Sequence, residues 1–188
     1  EQIQTHPTVV PVKNEMITEG VRGEGAILVN RTAKRFINEL ETRDVVSKAI
    51  LAQEGKTAFL ILDSGVEERL ASVTKYKKMG LLIEGATIAE LAQKLDLDVA
   101  TLEKTMSDYN TYFKNQKDTE FDRRVLAGEL STGPFYAVEV APAIHHTMGG
   151  IKINDTSEVL NNAGEIVEGL FAAGEVTGGI HEIGRAHV

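Results

Sequence analysis

The sequence predicts an α+β fold, in which helices pack on a small sheet and a β-rich segment follows. Helical patterns with capping residues lie between residues 87 and 113, and the apolar run TAFLIL at residues 57–62 is typical of a buried strand. Beyond Gly133 and Pro134 the pattern changes to short strands separated by glycine-bearing turns. The two patterns predict a region of helices on a sheet followed by a region of strands.

The beginning of the chain is predicted to be extended. Pro7 and Pro11 disfavour a helix between residues 2 and 12. An apolar strand is predicted at residues 26–30, and residues 34–38 are expected to form a second extended piece or a helical turn. This part of the chain is therefore expected to supply strands.

Helices and strands then alternate. Apolar residues recur at helical spacing from Thr42 or Asp44 onward, and Gly55 ends the segment, which predicts a helix with one buried face. The TAFLIL strand comes next. A helix at residues 66–73 and a short extended piece at residues 81–84 complete this part.

Two further helices have clear start signals. Thr87 and Glu90 have the spacing of a capping box, and Asp96 or Asp98 begins the following helix. That helix carries one apolar stripe. Its members are expected to be core residues and not a cofactor site: Val99, Leu102, Met106, Tyr109 and Phe113.

A polar and charged segment, residues 115–132, ends the helical region. Its composition predicts a linker, with a domain boundary at Gly133 and Pro134. Beyond it, NNAG at residues 161–164 predicts a hairpin turn. The run LFAAGEVTGG at residues 170–179 predicts a buried strand that breaks into glycines, as backbone does where it approaches a ligand.

Composition excludes several classes of function. The 188 residues carry a net charge of -8, which argues against nucleic acid and anionic membrane surfaces as partners. The chain has no cysteine, so it has no disulfide, thiolate metal site or cysteine nucleophile. No apolar run is long enough to span a membrane, and the first residues do not read as a signal peptide. We expect a soluble protein, with the bacterial cytoplasm, the periplasm and the outer face of the cell membrane all open as its location.

Charge is concentrated in residues 18–44. Glu19 and Arg22 lie three apart among glycines, and Arg43 lies beside Asp44. For any single one of these residues a solvated turn or a surface ion pair is the simpler interpretation. Their concentration around one short strand indicates a functional site.

Three histidines are candidates for that site. His6 lies next to a proline, and a lone histidine is more often a packed or surface residue than a ligand. His145 and His146 are adjacent in a strand pattern, so their side chains point to opposite faces and suit one metal ion poorly. No metal site is predicted, and the two are expected to have different roles.

Five motifs together resemble the soluble fumarate reductase flavoproteins, the flavocytochrome c family. Their order and intervals agree from residue 2 to residue 181. The motifs are HPT at 6–8, TEGVRGEGAILVNRTAKRFINE at 18–39, ETRD at 41–44, HHTMGG at 145–150 and GLFAAGEVTGGIH at 169–181. The resemblance implies a mobile capping domain, the C-terminal part of an FAD-binding domain, and FAD as cofactor. The N-terminal dinucleotide-binding half, with its glycine fingerprint, is expected to lie outside this sequence, which reads as an internal piece of a longer protein.

The resemblance implies a catalytic group of three residues. Arg43 matches the family's general acid, which protonates one carbon of fumarate while reduced flavin delivers hydride to the other, giving succinate. Glu19 and Arg22 match the residues that return a proton to it. A guanidinium alone would not be nominated as an acid, because its pKa lies above about 12.

The resemblance also implies binding residues. His6 and Thr18 match residues that hold one carboxylate of the substrate, and His145 matches a residue that holds the other. His146 and Glu175 match residues that contact FAD. The electron donor, whether a haem domain, an FMN domain or free flavin, is expected to lie outside this sequence.

The domain limits implied are 1–22 for the end of the FAD domain and a linker strand, 23–133 for the capping domain and 134–181 for the C-terminal part of the FAD domain. In the family, a glycine and an asparagine-arginine-leucine-glycine phrase follow, whose arginine binds substrate. Arg185 falls at that interval with different neighbours, and IGRAHV is one reading frame of a common sequencing adapter. Residues 182–188 are therefore expected to be a non-native tail.

Two alternatives remain open at this point. A sister reductase would act on another unsaturated acid, such as urocanate or methacrylate, although His6, Thr18 and Glu19 together favour fumarate. The chain could also be a folded module without activity of its own, since the half that encloses most of the FAD is expected to be absent.

Overall fold

A computed structural model describes residues 3–178. Its main sheet has six strands, all paired antiparallel, in the order β2-β1-β6-β4-β3, and β5 also pairs with β6. The strands are β1 (Gln4–Val10), β2 (Glu15–Met16), β3 (Ile27–Val29), β4 (Ala58–Asp63), β5 (Ile83–Gly85) and β6 (Phe135–His146). A separate hairpin pairs β7 (Glu158–Leu160) with β8 (Ile166–Phe171). The predicted α+β class is confirmed.

The long strand β6 joins the two ends of the main sheet. Its first half pairs with β4, from Phe135 opposite Asp63 to Val140 opposite Ala58. Its second half pairs with β1, where His146 lies opposite Gln4. One strand therefore connects the apolar centre of the fold to the histidine motif.

Six helices are described, together with 3-10 turns at Glu54–Lys56 and Gly174–Val176. The helices are α1 (Glu19–Gly23), α2 (Arg43–Leu51), α3 (Ser64–Arg69), α4 (Ala71–Lys78), α5 (Ile88–Lys94) and α6 (Val99–Asn115). No helix among residues 3–178 is long and apolar enough to cross a membrane.

The helical predictions hold, with one correction. The single helix predicted at residues 66–73 is wrong, because α3 and α4 meet at Leu70, whose backbone is extended (φ -135°, ψ 100°). The Leu70 side chain lies 3.4 Å from where a Cβ of Gly20 would be. The break thus coincides with the contact between these helices and the start of α1.

Capping residues define the next two helices. The Thr87 hydroxyl accepts a hydrogen bond from the Glu90 N–H at 3.1 Å, whereas the Glu90 carboxylate accepts from Ala86, one residue before the usual capping-box donor. Asp98, and not Asp96, caps α6 by accepting from the Thr101 N–H at 2.8 Å. The predicted stripe of α6 is in the core.

The charged segment after α6 is not a solvated linker, and that interpretation is wrong. Asp118 and Arg123 are buried, as are Leu126 and Leu130. Composition overstates solvation here because the buried charges pair with opposite charges from elsewhere in the chain. The domain limits within residues 1–181 stay predictions.

The C-terminal hairpin forms as predicted. The Asn161 side chain accepts hydrogen bonds from the Ala163 and Glu165 N–H groups at 2.8 and 3.0 Å, and Gly164 has φ +82°. The prediction of a buried strand beginning at Leu170 is wrong. Leu170 and Phe171 end β8, and they are 49% and 62% exposed. No element among the described residues covers this apolar face.

Candidate active site

The candidate site forms where β1, the end of β6 and the first residues of α1 and α2 meet. Antiparallel pairing of β1 with β6 brings His6 beside His145, with ring centroids 5.5 Å apart and planes inclined by 44°. The hydroxyl of Thr5 on β1 donates to that of Ser47 on α2 at 3.1 Å, which fixes α2 against the strand. Residues distant in sequence thus converge at one end of the sheet.

Arg43, the first residue of α2, forms the centre of the site. Its Nε and Nη2 donate to the two carboxylate oxygens of Glu19 at 2.5 and 3.0 Å. Its Nη1 donates to Gln4 Oε1 at 2.7 Å and lies 3.5 Å from His145 Nδ1. The hydrogen bond between Arg43 and Glu19 raises the pKa of Arg43 and lowers the pKa of Glu19, so both side chains are ionised near pH 7.

Arg22 lies behind this pair, on the side away from solvent. It is 3% exposed, and its Nη2 is 3.7 Å from Glu19 Oε1. Burial lowers the pKa of Arg22 to about 10, despite the opposing attraction of nearby carboxylates. Arg22, Glu19 and Arg43 form a line that runs from the interior to the histidines.

His6 is held as a neutral hydrogen-bond donor. Burial, reinforced by the positive charges of Arg22 and Arg43, lowers its pKa to about 4. The Thr8 N–H donates to His6 Nδ1 at 3.3 Å, so the ring proton resides on Nε2. A neutral ring with an Nε2–H can donate to a carboxylate without carrying charge itself.

Thr18 occupies the N-cap position of α1. Its backbone N–H donates to the Tyr76 hydroxyl at 3.0 Å, while its side chain makes no capping hydrogen bond. Tyr76 belongs to α4 and is buried. Helix α4 therefore fixes the backbone at Thr18 through Tyr76, and the Thr18 hydroxyl is not used to cap α1.

His145 and His146 face opposite sides of β6. His145 turns to Gln4, whose Oε1 is 3.1 Å from its Nδ1. His146 is buried on the other side, where its Nδ1 accepts from the Met148 N–H at 2.7 Å and its Nε2 lies 4.0 Å from a carboxylate oxygen of Glu175. The two adjacent histidines therefore lie in different surroundings, one beside Gln4 and the other near Glu175.

The His146 side has features that fit a large cofactor. Glu175 is 58% exposed, and exposed apolar residues precede it on β8 and follow it at Val176. The backbone crosses closely here, since a Cβ at Gly178 would lie 2.6 Å from the Gly150 nitrogen. An exposed carboxylate next in sequence to exposed apolar residues suits a ligand that combines hydroxyl groups with a flat apolar ring, as FAD does.

Two parts of this region were not predicted from the sequence. Gln4 contacts both Arg43 and His145, and its position two residues before His6 on the same strand face was the available signal. The second is a set of buried charges behind Arg22. Arg185 and residues 182–188 lie outside the described residues, and no group of three or more metal-ligating side chains occurs among residues 3–178.

Comparison with known proteins identifies a family. The model of the FAD binding domain matches residues 1–186. A fumarate reductase (cytochrome) of Shewanella frigidimarina is 45% identical over 98% of this chain and 32% of its own length. An NADH:fumarate oxidoreductase of Klebsiella pneumoniae is 42% identical over 96% of this chain and 20% of its own length. A urocanate reductase of Eggerthella lenta is 35% identical over 98% of this chain and 32% of its own length. The chain thus spans about a third or less of the length of these relatives.

A solved structure is similar along the same span. The open conformation of a flavocytochrome c3 fumarate reductase superposes with a TM-score of 0.86 at 47% identity, covering 96% of this chain and 32% of that one. The relatives are reductases of fumarate and of another unsaturated carboxylate.

Proposed function

This chain belongs to the FAD binding domain family, and from that premise we propose that it handles the substrate in an FAD-dependent reduction of fumarate to succinate. FAD is the cofactor of the family. The observation that carries the proposal is the line of Arg22, Glu19 and Arg43, which ends beside two histidines. Such a line can move a proton from the interior to a bound ligand.

Bound FAD, once reduced, would supply a hydride to one carbon of the double bond. An N–H of Arg43 then gives its proton to the neighbouring carbon, which completes succinate. Glu19 returns a proton to Arg43 as it accepts one from Arg22, and Arg22 is reprotonated from solvent. The raised pKa of Arg43 is compatible with this step, because the carbon next to the one that gains the hydride carries the displaced electron pair and is a far stronger base than the Glu19 carboxylate.

The histidines and Thr18 are proposed to hold the substrate. His6 and the Thr18 hydroxyl would donate to one carboxylate, and His145 would bind the other, with Arg185 as a further candidate. Gripping both ends places the double bond in a fixed position, and orientation combined with charge stabilisation supplies much of the catalysis. On the opposite side of β6, His146 and Glu175 would hold FAD.

Substitution of Arg43 tests the proposal in a flavin-loaded enzyme that contains this sequence. Arg43→Ala is expected to lower turnover per bound flavin by more than the 10²- to 10⁴-fold typical of general acid catalysis, while artificial donors still reduce the flavin. Arg43→Lys should retain a trace, since an ammonium can donate a proton but lacks the planar fork. Arg31→Ala is the matched control, because Arg31 also pairs with a carboxylate but lies elsewhere. Near-normal turnover in Arg43→Ala would remove the mechanism.

The substrate within the class is a separate question. A relative named for its action on urocanate is 35% identical over 98% of this chain, so similarity alone does not select fumarate. Fumarate, urocanate and methacrylate should be compared on the same preparation, and the proposal expects the highest kcat/KM for fumarate. The electron donor, a haem or FMN domain or protein, would be supplied from outside the residues described above.

A further inference from the structure

Behind Arg22 lies a set of charged side chains that the proposed reaction does not use. We call it the buried ion cluster; its members are Arg35, Glu39, Asp118 and Arg123, and none of these side chains is more than 1% exposed. The guanidinium carbons of both arginines lie 5.5 Å from the Tyr109 ring centroid. Buried ions are costly unless their hydrogen bonds are satisfied, so the distribution of those bonds is informative.

The carboxylate of Glu39 is fully occupied within the cluster. Its Oε1 accepts from Arg35 Nε at 2.8 Å and from the Leu28 N–H at 3.3 Å. Its Oε2 accepts from Arg35 Nη2 at 2.8 Å and from Arg123 Nη1 at 3.0 Å. These four donors use the acceptor sites of a carboxylate, so the Glu39 side chain has none left for Arg22.

Arg123 fixes the backbone around Arg22. Its Nη2 donates to the carbonyl of Arg22 at 2.5 Å, and its Nη1 donates to the carbonyl of Ala26 at 3.0 Å. Its Nε donates to the carbonyl of Val125 at 3.0 Å. The end of α1 and the start of β3 are thereby held by one buried guanidinium.

The Arg22 side chain makes few hydrogen bonds. Its Nη1 donates to the backbone carbonyl of Glu39 at 2.5 Å, and its buried Nε has no hydrogen-bond partner among residues 3–178. Glu19, at 3.7 Å, is its ion-pair partner. The pKa of Arg22 is lowered to about 10 by burial first, and further by the charges of Arg43 and Arg123.

We propose that Glu39 and Arg123 are positioning residues for the proton path: they hold Arg22 in a buried place where the carboxylate open to it is that of Glu19. Were the Glu39 carboxylate free, it would form a buried ion pair with Arg22 and hold its proton there. Arg123 opposes this most directly, because it bonds Glu39 Oε2 and also holds the Arg22 carbonyl. The inference rests on the proposed function, which gives the proton of Arg22 a destination.

The transfer balances without any other reactant. A proton leaves an N–H of Arg22 for Glu19 Oε1, which produces a neutral guanidine and a carboxylic acid. The acid passes its proton to Arg43 after Arg43 has protonated the substrate, and Arg22 regains a proton from solvent. Each group ends in its starting state.

Titration of Arg22 by NMR tests the proposal on the full 188-residue chain, labelled with ¹³C at arginine Cζ. Arg22→Lys assigns the signal, and the wild-type midpoint is expected at about 10. Arg123→Met should raise the midpoint by about one pH unit, because a positive neighbour leaves and Glu39 Oε2 is released toward Arg22. Glu39→Gln should lower it by about one unit, because a negative neighbour is neutralised. The groups that face Arg22 are His6, Glu19, Glu39, Arg43 and Arg123.

Arg35→Met is the matched control. Arg35 has the same chemistry, burial and Glu39 partner as Arg123, but no contact with Arg22 is found for it among residues 3–178. Because Arg35 bonds Glu39 but does not hold the Arg22 carbonyl, Arg35→Met should raise the Arg22 midpoint by no more than half as much as Arg123→Met does. A purely structural role would instead raise the midpoint equally in Arg35→Met and Arg123→Met, because a loosened interior hydrates Arg22.

Three results would overturn the proposal: equal shifts in the two methionine variants, a shift of the same sign in Glu39→Gln and Arg123→Met, or a wild-type Arg22 that does not titrate up to about pH 11. Amide spectra at each pH report folding. If one variant does not fold, the other decides, because the expected signs are opposite. The titration uses neither substrate nor flavin, so its failure and that of the Arg43 turnover test are distinguishable.

Discussion

Two groups of ion pairs lie side by side in this molecule and differ in burial. In the candidate site, the Arg43 and Glu19 side chains are 20% and 30% exposed, whereas those of the buried ion cluster are at most 1% exposed. Glu39 accepts hydrogen bonds from two arginines. Glu19 is hydrogen-bonded to Arg43 alone, with Arg22 at 3.7 Å, and one nitrogen of Arg43 is turned toward Gln4. The same residue types therefore build a closed network and an open one.

The difference between the two networks separates charges that stabilise the fold from charges that can act on a ligand. Among the described residues, Arg35 Nη1 is the exception in a cluster whose other buried side-chain atoms are hydrogen-bonded within the fold. Charges held in this way contribute to folding and have little left to offer a ligand. A partly exposed charge with a nitrogen near the site opening contributes little to stability but can act on a substrate. Arg22 stands between the two, because it is buried like the cluster but has its ion-pair partner, Glu19, in the candidate site.

The same substitution in each network should separate them most clearly. Arg123→Met is expected to lower the free energy of unfolding by about 3–5 kcal/mol, because it leaves buried acceptors without a donor. Arg43→Met should cost less than about 1 kcal/mol. Urea denaturation of both variants measures this, and equal losses would show that burial is not the feature that distinguishes the networks.

Lowering the pH should reveal a second contrast. His6 has a folded-state pKa of about 4 against an ordinary value of 6.5, so folding excludes a proton that the unfolded chain binds. Its contribution to stability is complete above pH 6.5 and is lost as the pH falls toward 4, by about 3 kcal/mol in all. Unfolding measured at several pH values should show this loss in the wild type and not in His6→Asn.

Glu19 and Asp118 have lowered pKa values, so the stability that their carboxylates contribute to the protein is also lost in acid. They are present in both proteins and cancel in the difference. Parallel curves for wild type and His6→Asn would mean that the His6 ring is not kept neutral by the fold.

Glu19→Gln should produce a moderate effect confined to turnover. It preserves shape but cannot pass a proton from Arg22 to Arg43, so turnover per bound flavin is expected to fall about 10- to 100-fold, less than in Arg43→Ala. Steady-state kinetics should show the loss in kcat more than in KM. A loss equal to that of Arg43→Ala would indicate that Glu19 does more than resupply the proton.

The smallest effect is expected at an ion pair outside both networks. The Arg31 and Glu139 side chains are 40% and 39% exposed, and Arg31→Met should change the free energy of unfolding by less than about 1 kcal/mol. Turnover should be unchanged. A larger cost would show that exposed ion pairs on this sheet matter more than their hydration suggests.

Local patterns predicted much of the fold. The TAFLIL strand, the stripe of α6 and the Thr87 and Asp98 caps depend on residues a few positions apart, and all of them form. The break at Leu70 was missed because no glycine or proline marks it in the sequence, and the side chain it places near Gly20 is about fifty residues away in the chain. The exposure of β8 was missed because an apolar sequence does not say whether a covering layer is present.

The candidate site was only partly predictable. Its charged residues were found by their density in residues 18–44, and their roles came from resemblance to a family. Two members of the buried ion cluster, Arg35 and Glu39, lie in the same stretch, but nothing in the sequence links them to Asp118 and Arg123, which are 83 and 84 residues away from their partners. Charges that are buried in pairs look, in a sequence, the same as charges that face water.

The adjacent histidines on β6 have one more consequence. Because His145 faces Arg43 and His146 faces Glu175, one short stretch of backbone carries both a proposed substrate contact and a proposed flavin contact. Inserting or deleting one residue between Val140 and His145 would reverse the alternation of side chains and exchange the places of the two histidines. A bend at this end of the strand would displace both histidines together, so the two proposed contacts cannot be adjusted independently of each other.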